Sequence, residues 1–87
     1  MVSQARTPQR ITLRRRSPHS FDANDVEGLT LWLQSHCFLA LKTRTSLEWA
    51  RLQRGRQLVV IFNSGNVVCQ GREPEPAMML LERLVVG

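Results

Sequence analysis

The stretch that decides the fold is QLVVIFNSGNVVCQG, at residues 57–71. Its two apolar halves are rich in Val, Ile and Phe, which favour the pleated strand. Between the halves stand Asn63, Ser64 and Gly65, which tolerate the positive φ angles of a tight turn. The stretch therefore predicts a strand–turn–strand hairpin. Apolar residues occur at both odd and even positions, so both faces of the sheet need a cover. The chain's own helices can cover one face, and the second is the candidate functional surface.

The composition of the chain indicates what kind of partner to expect. Its 87 residues suffice for one domain with a two-layer core, and 43% of them are hydrophobic. The formal net charge is +5, and 11 of the 12 basic residues are arginines. Arginine carries a flat, permanent charge that matches phosphate and carboxylate oxygens. The composition therefore favours an anionic polymer or an acidic protein surface over a neutral small molecule.

The chain is predicted to consist of a flexible arm at residues 1–8 and a single domain at residues 9–87. No apolar run is long enough to span a bilayer and no signal-peptide segment is present, so we expect no membrane partner and a cytoplasmic location. Cys37 and Cys69 lie in apolar, strand-like stretches and are predicted to be reduced, buried thiols. Together with the two histidines they lack the spacing of a zinc site, so no metal or cofactor is expected.

Three elements are predicted before the central hairpin. Polar and apolar residues alternate over residues 9–16, which indicates a half-buried strand that ends at the following Ser-Pro dipeptide. Asn24 and Glu27 have the spacing of a capping box and predict a helix that runs to about Ser35. Residues 37–44 alternate again and predict a further strand.

Two other segments complete the predicted order of elements. Residues 45–55 are compatible with a helix, because Thr45 and Glu48 have capping-box spacing, or with an extended hairpin that continues the sheet. We favour the hairpin. After residue 71, two prolines and two glutamates are typical of a helix start, and apolar residues then recur at helical spacing from Ala77 to Val85.

Side-chain alternation along the strands assigns the two faces of the sheet. Two amphipathic helices can cover only one face. The face predicted to meet the helices consists of Ile11, Leu13, Leu39, Leu41, Val59, Ile61, Val67 and Cys69. The open face is predicted to carry Arg10, Thr12, Arg14, Phe38, Ala40, Lys42, Val60, Phe62, Val68 and Gln70. Arginines beside exposed Phe and Val side chains are unusual on a solvated surface and indicate a binding face.

The motif IFNSGNVVCQG, followed by an acidic helix start, resembles the strand–turn–strand–helix signature of one repeat of the TATA-box-binding protein. The order of elements over residues 10–86 also matches one half of that saddle-shaped fold. The same half-saddle occurs as the amino-terminal substrate-binding domain of some bacterial ribonucleases H. The resemblance implies an α+β fold, with an antiparallel curved sheet of four to five strands and two helices on one face.

The resemblance also implies roles for individual residues. In the family the open sheet face lies on the DNA minor groove, and phenylalanines wedge between base steps. Phe38 and Phe62 fall on the wedge positions, and Val60, Val68 and Gln70 fall on groove-contacting positions. Because this chain holds one repeat where the saddle needs two, a homodimer formed by pairing of sheet edges is a further expectation.

Three classes of function remain open at this point. The favoured one is a non-catalytic module that binds duplex DNA or an RNA–DNA hybrid through the minor groove, with arginines on the phosphates. Its predicted contact residues are Arg10, Thr12, Arg14, Arg16, Phe38, Lys42, Arg44, Val60, Phe62, Val68 and Gln70. The alternative is a protein-interaction or oligomerisation adaptor, or an inhibitor, that buries the same face against a protein. An enzyme is not expected, because the sequence shows no nucleophile–base pair, Gly-rich phosphate loop or paired carboxylates.

Overall fold

The chain forms an α+β fold, seen in a computed structural model that describes residues 10–86. The predicted flexible arm at residues 1–8 lies outside the described residues. The elements are β1 (Leu13–Ser17), β2 (Ser20–Ala23), α1 (Val26–Gln34), β3 (Leu39–Leu41), β4 (Glu48–Arg54), β5 (Gln57–Phe62), β6 (Asn66–Gly71) and α2 (Glu75–Glu82). No helix within residues 10–86 has the length and apolar character needed to cross a bilayer.

One antiparallel sheet contains all six strands, in the order β1-β2-β6-β5-β4-β3. The central hairpin predicted from residues 57–71 is confirmed as β5 and β6, with Val60 opposite Val68. Gly65 has a φ of 100° in the turn, and a Cβ there would stand 2.9 Å from the carbonyl oxygen of Ala23. This position therefore needs glycine both for its conformation and for the close approach to β2.

Both helices pack on one face of the sheet, α1 against β4 and β5, and α2 against β5. The buried side chains of that face, together with those of the helices, form the hydrophobic core. Its members are Leu13, Phe21, Leu29, Leu33, Phe38, Ala50, Leu52, Val59, Ile61, Val67, Cys69, Ala77, Leu80 and Leu81. The predicted placement of Leu13, Val59, Ile61, Val67 and Cys69 towards the helices is confirmed, as is the apolar stripe of α2.

The sheet has six strands, not the predicted four to five, because strand β2 was not predicted. Residues 10–12, predicted to be strand, precede β1, which runs from Leu13 to Ser17. The Ser-Pro dipeptide does end this strand, but Pro18 and His19 form a turn that reverses the chain into β2, with Ser17 opposite Ser20. A four-residue strand is too short to produce a readable alternation, and only its buried Phe21 marks its apolar side.

The predicted faces of β3 are inverted. Cys37 adopts a φ of 73°, so the predicted strand over residues 37–44 is interrupted and begins only at Leu39. Phe38 is 1% exposed and lies in the core, whereas Leu39 is 71% exposed. The predictions that Phe38 and Ala40 lie on the open face, and that Leu39 and Leu41 meet the helices, are therefore wrong. Cys37 is exposed, contrary to the prediction of a buried thiol.

The ambiguous residues 45–55 form a hairpin arm, as favoured. Strand β4 pairs with β3 on one side and with β5 on the other. Its register shifts between Glu48 and Ala50, which leaves Trp49 as an extra residue in a bulge. The bulge brings Glu48 opposite Phe62. The capping-box spacing of Thr45 and Glu48 therefore does not mark a helix start. Glu48 begins a strand, and its side chain accepts a hydrogen bond from the backbone N–H of Arg44.

Candidate nucleic-acid interface

The sheet face that carries no helix is called the open face here. Directly opposed residues of antiparallel strands point to the same side of a sheet, so the register defines this face. One row of cross-strand neighbours runs Ser20, Val68, Val60, Arg51 and Leu41. A second row runs Gln70, Leu58, Gln53 and Leu39, and a third includes Arg14, Asp22 and Asn66. The face is thus apolar along its centre, with arginines towards both sides.

The centre of the open face is more closed than the sequence predicts. Val60 is 1% exposed although it points away from the helices, because Arg51 and Val68 flank it across the strands. Val60, predicted to contact a ligand, therefore offers almost no surface on the open face. Phe62 and Val68 are half-buried, and Gln70 is exposed at the end of β6. These three predicted residues all lie on the open face, at different levels along the β5–β6 hairpin.

The arginines of β1 are largely committed to contacts within the chain. The Nη1 of Arg16 lies 3.4 Å from Oδ1 of Asp22, so this predicted phosphate contact already has a carboxylate partner. Arg15 points to the helix side, where it pairs with Glu82 and stands over the ring of Phe21 at 5.3 Å. Arg14 is the exposed β1 arginine without an ion pair among residues 10–86.

Arg10 and Thr12 precede the sheet and are held there by one side chain. The Nδ2 of Asn24 donates to the backbone oxygen of Arg10 at 2.8 Å, and its Oδ1 accepts from the backbone N–H of Thr12 at 2.8 Å. Asn24 therefore ties this segment to the start of α1. The predicted capping box is wrong: the N-cap is Asp25, whose Oδ1 accepts from the N–H of Gly28 at 3.0 Å.

Phe38 cannot act as a wedge, because its ring is in the core and is covered by an arginine. The guanidinium of Arg54 stands 4.5 Å from the ring centroid. The same group donates to the backbone oxygen of His36 and to Oε1 of Gln57, both at 2.9 Å. Arg54 thus joins the end of the α1–β3 connection to the β4–β5 hairpin. The Arg54 guanidinium is therefore occupied by contacts within the chain.

A groove of about 460 Å³ opens on the face near the β4–β5 turn. Four arginines line it. Arg44 lies in the β3–β4 loop, Arg51 on β4, Arg56 in the β4–β5 turn and Arg72 directly after β6. Its apolar lining comes from Leu41 and Leu58, and its polar lining includes Gln53 and Gln57. Leu41 and Leu58 belong to the two neighbouring rows of the open face, so the groove crosses both rows.

A buried ion pair organises one end of this groove. The side chains of Glu48 and Arg51 are 6% and 11% exposed, and their Oε2 and Nη1 atoms lie 3.5 Å apart. The other carboxylate oxygen of Glu48 accepts from the N–H of Arg44 at 3.2 Å, which holds the β3–β4 loop. Lys42 and Arg44, both predicted phosphate contacts, are exposed on that loop. Of the two, Arg44 lines the groove.

The predicted contact residues leave out Arg51, Arg56 and Arg72, although all three line the groove. They come from β4, from the turn after it and from the residue after β6, so no single stretch of sequence contains the cluster. The available signal was the register: once Gln57 is paired with Gly71, their neighbours Arg56 and Arg72 must be adjacent in space. Within residues 10–86, no group of three or more His, Cys, Asp or Glu side chains is placed to hold a metal ion.

Comparison of the chain with protein-family models, with curated proteins and with solved structures gave no match.

Proposed function

We propose that the chain is a non-catalytic nucleic-acid-binding module that places its open face on duplex DNA or an RNA–DNA hybrid. The charge balance of that face supports the proposal most directly. Both of its carboxylates, Asp22 and Glu48, are already paired with arginines. The cations around the face that form no ion pair within residues 10–86 are Arg10, Arg14, Lys42, Arg44, Arg56 and Arg72. A face with surplus positive charge and no free negative charge attracts a polyanion.

The order of elements supports the same proposal. From β2 to α2 it reads strand, helix, four strands, helix, as in one repeat of the TATA-box-binding-protein fold. Strand β1 is then an addition at one edge of the sheet. In this reading the open face corresponds to the groove-binding face of the half-saddle. Phe62, Val68 and Gln70 would meet sugars and base edges, while the arginines would meet phosphates.

Protein association is the second candidate, and a different observation favours it. Strand β3 is the far edge of the sheet and pairs with β4 alone, so its outer backbone groups have no strand partner. Its residues are all exposed, Leu39 and Leu41 included. Unpaired edges with exposed apolar side chains favour strand addition by another chain. A homodimer formed through this edge would belong to this candidate.

The proposal is tested by fluorescence anisotropy with labelled duplex DNA, RNA–DNA hybrid and single strands over a salt series. We expect duplex or hybrid binding whose log K falls linearly with log salt, by about 0.9 per neutralised phosphate on B-DNA. Sequence preference should be weak, because the minor groove presents a degenerate pattern. Absence of binding to every probe at low salt would exclude this function. A salt-insensitive dimer in sedimentation velocity would then favour protein association.

A further inference from the structure

We propose that the groove lined by Arg44, Arg51, Arg56 and Arg72 holds the sugar–phosphate backbone of one strand of a bound duplex. This groove, rather than strand β1, then supplies the main phosphate contacts. The inference rests on the proposed function and says where on the open face the backbone lies. The centre of the interface then lies at the end of the sheet formed by the β4–β5 turn, opposite the β5–β6 turn.

The distribution of uncompensated charge carries the first step. On β1, Asp22 and Glu82 offset two of the three arginines, and Arg15 does not even point to the open face. In the groove, Glu48 offsets only Arg51. The other three groove arginines form no ion pair within the described part of the chain. The groove therefore holds three uncompensated arginines, against two beside β1, Arg10 and Arg14. The flanking protein walls of a groove focus the field of such charges.

Backbone geometry shows that two of these arginines are brought together by the fold. Gly71 has a φ of 99°, and a Cβ on it would stand 2.3 Å from the carbonyl oxygen of Arg56. The same oxygen accepts from the N–H of Glu73 at 3.2 Å. The end of β6 is thus fixed against the β4–β5 turn, which sets Arg72 beside Arg56. Arginines held by backbone contacts lose less conformational freedom on binding than arginines on loose loops.

The dimensions and lining of the groove fit a backbone better than a base. From Arg51 to the turn at Gly55 the chain covers about 13 Å, which is long enough for a short run of consecutive phosphates of one strand. Leu41 and Leu58 offer carbon surface to the sugars. The lining contains no aromatic ring on which a base could stack. A backbone whose phosphates contact the arginines and whose sugars contact the leucines would match both the charged and the apolar lining.

The test compares two double variants of equal charge in the full chain, by anisotropy with duplex DNA and RNA–DNA hybrid. Arg56→Gln/Arg72→Gln removes two groove arginines, and Arg10→Gln/Arg14→Gln removes two cations near β1. All four side chains are exposed, so both variants should keep the wild-type circular dichroism and unfolding midpoint. Arg44→Gln, at the other end of the groove, provides an independent single variant.

We expect the groove pair to lose affinity about ten-fold or more at 100 mM salt, and its salt slope to fall by about 2. The loss should be the same for A·T-rich and G·C-rich duplexes, because phosphates carry no sequence information. The β1 pair should lose clearly less, and Arg44→Gln should shift the slope by about 1. Equal losses in the two double variants, or a sequence-dependent loss, would overturn the inference while wild-type binding still supported the proposed function. Absence of wild-type binding would remove both.

Discussion

At the scale of single residues, Phe38 and Phe62 show how a local backbone feature overrides the sequence pattern. Phe38 and Phe62 both follow the alternation expected for the open face. Only Phe62 lies there, because the positive φ of Cys37 rotates the chain before β3 begins. Phe38 then enters the core, where Arg54 covers its ring. An alternation rule assumes a continuous strand, and the sequence does not mark the interruption at a cysteine, a residue that rarely adopts positive φ.

The different environments of the two rings predict different stability losses. Phe38→Ala should lower the free energy of unfolding by about 3–5 kcal/mol, because it empties a fully buried ring site. Phe62→Ala should lower it by roughly 1–2 kcal/mol, since that ring is only half-buried. Urea denaturation of both variants provides the comparison. If the two losses were equal, or if Phe62→Ala cost more, the assignment of Phe38 to the core would be wrong.

At the scale of elements, helix α1 shows that a capping motif can predict the right helix with the wrong residues. The spacing of Asn24 and Glu27 places a helix start correctly to within a residue or two. In the structure Asp25 caps the helix, and Asn24 uses both ends of its amide on the segment before β1. Adjacent Asn and Asp residues compete for the same cap, and the tertiary contacts of Asn24 decide between them.

Substitutions at the start of α1 should separate these two assignments. Asp25→Ala should lower the free energy of unfolding by about 1 kcal/mol, because the N–H of Gly28 loses its acceptor. Glu27→Gln should cost at most about 0.5 kcal/mol, the contribution of a single charge to the helix dipole. Thermal and urea unfolding of the two variants measure the difference. A loss for Asp25→Ala no larger than that for Glu27→Gln would contradict the assignment of the cap to Asp25.

At the scale of the whole molecule, the sequence predicts the features that depend on local sequence pattern. The central hairpin and the second helix follow from propensity, turn residues and spacing, whereas at residues 45–55 the same signals left a helix and a hairpin both open. The division into a covered and an open face also follows from local pattern. The groove could not be predicted, because its arginines come from separate loops and meet only through the register of β4, β5 and β6. The buried state of Val60 depends on the same packing across strands.

The packing of the whole sheet against the helices also predicts how stability depends on alkaline pH. Cys69 lies in the core on β6, and burial raises the pKa of its thiol to about 11. In the unfolded chain the thiol loses its proton near pH 9. Between these values the folded state binds more protons, so the stabilisation is complete below pH 9 and is lost as the pH rises through 11. We expect the free energy of unfolding to fall over this interval by an amount on the order of 1–2 kcal/mol.

The composition makes this interval unusually free of other titrations. The chain has no tyrosine and one lysine, and arginines keep their charge throughout. Urea denaturation at pH 8, 9, 10 and 11 gives the pH profile, and Cys69→Ala should flatten it while Cys37→Ala should leave it unchanged. A profile as steep in Cys69→Ala as in the wild type would mean that this thiol is not held protonated by the core, and that β6 is open to water near the centre of the sheet.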